Sequence, residues 1–121
     1  MQSSKTSFKK RAYLLALDAL ELIDSLPAKK AYWSLGDQLL RSITSIGANV
    51  VEAKSASSKR DFVNFYNIAL KSANESKFWL SLIKDSDKGN SELASKMLEE
   101  TEELANIIAA SILTLKGKRK L

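Results

Sequence analysis

Between Trp33 and Glu52 the apolar residues Leu35, Leu39, Ile43, Ile46 and Val50 recur at steps of four, four, three and four. That spacing stacks side chains on one face of a helix and predicts a core stripe. The same rhythm runs through Phe8, Ala12, Leu15, Ala19, Leu22, Ile23 and Leu26, through Phe62, Phe65, Tyr66, Ala69, Ala73, Ser76, Leu80 and Ile83, and through Leu93, Met97, Thr101, Leu104, Ile108, Ser111 and Leu115. The pattern predicts four helices, over about 7–26, 33–53, 59–84 and 91–116. Pro27 closes the first, because the residue before a proline is pushed out of the α region. Ser34-x-x-Asp37 and Ser58-x-x-Asp61 have the form of capping boxes and open the second and third helices. Asp85 to Asn90 reads as a turn in which Gly89 can take a positive φ, and Gly117 is a natural helix stop. Gly47 and Ala48 stand where small side chains let a neighbouring helix approach. Neither period-two alternation nor a tandem repeat is visible, so the expected fold is all-α.

Helices joined by such short turns run up, down, up and down, each antiparallel to the next. A chain of 121 residues holds one core and one domain, 1–121, with a flexible N-terminus (about 1–6) and a basic tail (about 117–121). Absence of Cys and His excludes thiolate chemistry, disulfides and the Glu-x-x-His di-iron pattern of helical bundles. No Ser sits in a G-x-S-x-G elbow or beside an evident base, so catalysis is not expected, nor a metal or cofactor. The acidic run Glu99, Glu100, Glu102, Glu103 reads as solvated surface of the fourth helix. No long apolar run is present, so the sequence reads as neither secreted nor membrane-spanning, and a reducing cytoplasm is the natural compartment.

Charge changes the picture once the topology places it. The N-terminus, the turn between the second and third helices and the C-terminal tail fall at one pole. Lys5, Lys9, Lys10, Arg11, Lys54, Lys59, Arg60, Lys116, Lys118, Arg119 and Lys120 gather there against Glu52 and Asp61. Eleven bases against two acids put +9 at that pole and leave −4 elsewhere, from a chain total of +5. Such a pole suits phosphate backbones, with charge rather than sequence reading dominating; the bland alternative is a set of solvated ends.

A second row, Gln38, Arg41, Ser45, Asn49 and Glu52, runs beside the core stripe of the second helix, with Glu75 facing it from the third. This row reads as a polar network within the bundle or at a subunit interface, in which Glu52 or Glu75 pairs with Arg41; a ligand contact is the other reading. Tyr32, Trp33, Phe78 and Trp79 lie towards the opposite pole and read as core or subunit packing rather than as stacking platforms.

The run from Asp37 through Arg41, Ser45, Gly47, Asn49 and Glu52 to Ala53, followed by Asp61-Phe62 and by Ile68 to Glu75, resembles a bacterial four-helix-bundle family. That family was first noticed as proteins encoded in intervening sequences of large-subunit ribosomal RNA genes. The likeness spans about Tyr13 to Ile112, departing at Glu52-Ala53, where Glu-Gly is usual, and at Leu70, where small residues are commoner. It implies a homo-oligomer, a ring-shaped pentamer in relatives, and a related branch works beside a reverse transcriptase of diversity-generating retroelements and contacts nucleic acid. The reading that follows is a non-enzymatic oligomeric bundle binding RNA or DNA through its basic pole as an accessory to a ribonucleoprotein or reverse transcriptase. The alternative is a protein scaffold that docks an acidic partner.

Overall fold

The computed structural model describes residues 7–117. They form four helices, α1 (Phe8–Asp24), α2 (Lys30–Ala53), α3 (Lys59–Ser86) and α4 (Ser91–Leu115). Around the bundle α1 packs on α2, α2 on α3, α3 on α4, and α4 more lightly on α1. The expected stripes are the core: Leu15, Ala19, Leu22, Leu39, Ile43, Ile46, Leu80, Ile83, Met97, Leu104 and Ile108 are all buried. Ala94, Ala105 and Ile112 of α4 join them.

Local chemistry sets the helix ends. Ser7 caps α1, its Oγ accepting from the Lys10 N–H at 3.1 Å. Ser58 caps α3 by accepting from the Asp61 N–H at 3.0 Å, and the Asp61 carboxylate accepts from the Ser57 N–H at 3.2 Å. Asn90 caps α4 through the Leu93 N–H. Two expectations are corrected. The Ser34 box is not used, because α2 begins at Lys30 and Ser34 already lies inside it. Gly36 then sits in the helix interior for a packing reason, since a Cβ there would come 3.1 Å from the Ile23 side chain. Gly89 does not supply the positive φ of the α3–α4 turn; Asp87 does, at 56°. Gly89 is small because a Cβ would fall 2.9 Å from both Leu26 and Ser25. Gly117, at φ 72°, does end the chain's last helix in the left-handed region that suits glycine.

Gly47 brings α1 and α2 together, a Cβ there standing 3.1 Å from that of Ala12. Its neighbour Ala48 is exposed. Gly47→Leu gains about 0.8 kcal/mol of helix propensity but overpacks this seam at about 1–3 kcal/mol, so urea denaturation is expected to show a net loss. Ala48→Leu, one position round the helix, is expected to stay within about 0.5 kcal/mol of the parent.

Candidate nucleic-acid interface

The antiparallel order brings the first turns of α1 and α3 and the last turns of α2 and α4 to one end. Lys9 and Lys10 open α1, Lys54 follows α2, Lys59 and Arg60 open α3, and Lys116 follows α4. All six are exposed, against an exposed Glu52 and a half-buried Asp61. Asp61 is already engaged in the α3 cap. The described part of the pole therefore carries +4, which is less than the sequence implies. Lys5, Lys118, Arg119 and Lys120, with the expected flexible N-terminus and most of the basic tail, lie outside the described residues.

Arg11 does not belong to this surface. Its side chain is 9% exposed and turns in towards α4. There Nε donates to Glu100 Oε2 at 2.8 Å, Nη2 donates to Glu100 Oε1 at 2.7 Å, and Nη2 also meets Glu103. The two Glu100 bonds form the bidentate fork that suits a guanidinium. These hydrogen bonds hold the Arg11 pKa well above its ordinary value, against the opposing effect of burial. The acidic run of α4 is accordingly not simply solvated: Glu100 and Glu103 neutralise Arg11, and Glu102 accepts from Lys77 of α3 at 2.7 Å.

The polar row of α2 also divides. Ser45 and Asn49 form part of a real network: Ser72 of α3 donates to Ser45 at 2.8 Å, and Asn49 Nδ2 donates to the Ser45 carbonyl at 2.8 Å and to its Oγ at 3.0 Å. A second pair, Ser42 and Ser76, lies deeper, with hydroxyls 2.8 Å apart. No buried side-chain polar atom among the described residues lacks a partner. Arg41 and Glu52 are exposed and Gln38 is half-buried. Among the described residues Arg41 pairs with neither Glu52 nor Glu75, contrary to the pairing expected within the chain. Glu75 instead accepts from the Trp79 indole N–H at 3.0 Å. The reason is rotation about the α2 axis: Arg41 is one step from the buried Ser42 and so turns about 100° out of the α2–α3 contact. Ser76 lies buried on the α3 stripe where the spacing put it, whereas Ser42 and Ser72 escaped the sequence reading, although their three-residue and four-residue offsets from Ser45 and Ser76 carried the signal. Trp33 and Phe78 are more than 60% exposed, so they do not serve the core of the single chain. Among the described residues no three acidic side chains converge as a metal site would require.

The fold and this end define a class: an all-α antiparallel bundle with a cationic end. The chain belongs to the 23S rRNA-intervening sequence protein family, whose model matches residues 4–110. It is similar to a crystal structure of a protein with unknown function from the S23 ribosomal protein family of Bacteroides thetaiotaomicron. The two share 33% identity over 88% of this chain and 98% of that one, with a TM-score of 0.79. No curated protein matches the chain. Neither likeness indicates an enzymatic activity. No helix among the described residues is long and apolar enough to cross a membrane.

The ionic clamp makes two predictions. Glu100→Ala removes the fork and leaves a covered guanidinium short of acceptors, so chemical denaturation should show a loss of about 1.5–3 kcal/mol; Glu103→Ala, at the wetter position, should cost less than about 1 kcal/mol. On the same face, burial pushes the Asp18 carboxyl up, with Lys96 opposing. A carboxyl raised in the folded state opposes folding once ionised, so its penalty is absent at low pH and grows as pH climbs through the raised value. Asp18→Asn should therefore raise the urea midpoint at pH 7 and leave it nearly unchanged at pH 3.

Proposed function

We propose that the protein is a non-enzymatic, homo-oligomeric bundle that binds RNA or DNA through its basic end, in the cytoplasm, as an accessory to a ribonucleoprotein or a reverse transcriptase. The observation that carries this reading is the set Lys9, Lys10, Lys54, Lys59, Arg60 and Lys116, exposed together with only two acids beside them. Stability alone does not explain it. Lys9, Lys10, Lys59 and Arg60 stand at helix N-termini, where the helix dipole disfavours a cation by about 0.3–1 kcal/mol. α1 has no acidic residue in its first turn to offset this. A phosphate backbone supplies the missing negative charge and also finds free N–H groups at those helix starts. The name of the family, which ties it to 23S rRNA, favours RNA as the first polymer to try.

Self-association completes the reading. Gln38, Arg41, Glu52 and Glu75 hold polar or charged groups on the outer α2–α3 face beside the exposed Ile68, Phe78 and Leu82. In a ring, a pentamer by family resemblance, copies meeting across that face give Arg41 its carboxylate and repeat the cationic end around one side, widening a modest patch into a surface.

The test is titration of the purified protein with a labelled, unrelated RNA at several salt concentrations. Lys54→Glu/Lys59→Glu/Arg60→Glu should weaken binding at least tenfold and flatten the slope of log K against log salt by about 0.7–0.9 for each phosphate no longer neutralised. Parent protein that carries no nucleic acid and binds none at low salt would refute the reading and leave the scaffold that docks an acidic protein.

A further inference from the structure

The outward side of α1 carries a stripe that is its own complement when turned end for end. Lys9 opens it, Tyr13, Leu17 and Leu20 form its middle, and Asp24 closes it, at steps of four, four, three and four. That spacing keeps the five side chains within an arc of about 80°, with Lys10 and Glu21 along one border. All seven are exposed, the three apolar ones at 46–64%. An apolar middle between charged rims is the make-up of an interface.

The charges are also the reverse of what a lone helix favours. The dipole favours acids in the first turn and bases in the last. α1 has bases in the first and acids in the last, with no acid in the first turn and no base in the last. Among the described residues Lys9, Lys10, Glu21 and Asp24 form no ion pair within the chain. No direct pair inside the bundle repairs the mismatch.

We propose that α1 of a second copy lies antiparallel along this stripe, the two chains being related by a two-fold axis that passes beside Ala16 and Leu17. In that register Lys9 faces the partner's Asp24, Lys10 borders the partner's Glu21, and Tyr13 packs on the partner's Leu20. Leu17 meets the partner's Ala16 at the axis. Each contact occurs twice, because a two-fold interface presents one patch from both sides. Each helix start gains the partner's acids and each helix end the partner's bases, which the dipoles favour. A parallel pairing would set lysine on lysine and aspartate on aspartate. A second copy is the occupant because α1 matches itself in charge order, apolar spacing and length. The two cationic ends then point away from each other. This contact is distinct from the ring face proposed on α2 and α3 and does not rest on it.

The experiment is sedimentation equilibrium of the full-length protein, freed of nucleic acid, over a concentration series in about 0.1 M salt, where exposed charges still act over ~10 Å. Lys9→Glu/Lys10→Glu makes the stripe acidic at both ends, and Glu21→Lys/Asp24→Lys makes it basic at both ends. Either pair should weaken self-association at least tenfold and halve the assembled mass. Both pairs suit the dipole of α1, so circular dichroism should show the helices kept. An equimolar mixture of the two variants should associate as the parent does, and a chain carrying all four substitutions should regain self-association. Lys54→Glu/Lys59→Glu/Arg60→Glu should keep the parent's mass while losing RNA, which separates this contact from the nucleic-acid reading. A parent that is monomeric at every concentration would overturn the proposal, as would variants of unchanged mass or a mixture that fails to associate. A parent of more than two chains that falls directly to single chains would give the stripe to a ring contact instead.

Discussion

Short connections are the constraint on which the bundle depends. Residues 25–29, 54–58 and 87–90 are all that separate the helices, so each helix must return beside the one before it. Two consequences follow at the ends. Helix dipoles alternate in sign around the bundle and largely cancel at a distance, so the long-range field of either pole comes mainly from side chains, while each helix start keeps its local positive end. Side chains that are remote in sequence, Lys9 and Lys59 or Lys54 and Lys116, are brought to a common level without touching. A cluster built this way is not a site with fixed geometry. It is a charge density, suited to a polyanion that can meet it in many registers.

The least embedded helix is α1, which gives Leu15, Ala19 and Leu22 to the shared core and is held in addition by contacts of another kind. Leu39, Ile43, Ile46, Leu80 and Leu104 make the centre a conventional apolar core. On the α1 side the apolar contacts of Leu15, Ala19 and Leu22 are joined by close approaches, Ala12 to Gly47 and Ile23 to Gly36, together with Ser25 accepting from the Asn90 N–H and Arg11 forked to Glu100. Small residues at a seam let backbones come near, but they leave the larger neighbours on the outer shoulder with nothing to pack on. Tyr13, Leu17 and Leu20 are exposed for that reason. A shallow groove outside the α1–α2 seam, lined by Tyr13, Ala16 and Thr44 among others, is thus a by-product of the same glycine and alanines that seat α1.

Most of the fold was legible because its signal is local. Leu15, Ala19 and Leu22, or Met97, Leu104 and Ile108, announce a buried face by spacing alone, and Ser58 with Asp61 announces a helix start within four residues. The site was less legible because it depends on how each helix is rotated against a partner dozens of residues away. Arg11 reads as one more cation near an N-terminus, yet it falls four residues before Leu15 on the core stripe, the one hint that it turns inward. Glu100 and Glu103, three apart on α4, supply its partners, and only the tertiary packing reveals them. The same holds for Arg41. Its offset from the stripe suggests a network, whereas the serines one step round the helix make the contact. Gly36 and Gly89 mislead for a related cause: both look like turn or helix-breaking residues, and both are small to admit Ile23, Leu26 or Ser25.

Removing Arg11 from the end of the bundle sharpens its charge pattern. Between the poles the helices carry Asp18, Glu21, Asp37, Glu75 and the four glutamates at 99, 100, 102 and 103, against Arg11, Arg41, Lys71, Lys77 and Lys96. Three of those bases are spent or opposed locally, Arg11 on Glu100 and Glu103, Lys77 on Glu102, and Lys96 beside Asp18. The sides of the molecule are therefore net negative. A polyanion approaching the α4 flank is repelled over roughly a Debye length, ~8 Å at physiological salt, while the end offers six exposed cations. Under the nucleic-acid reading proposed above, repulsion along the waist does as much to fix where the polymer can lie as attraction at the pole. A bundle with the same number of lysines spread evenly over its surface would bind the same polymer without orienting it.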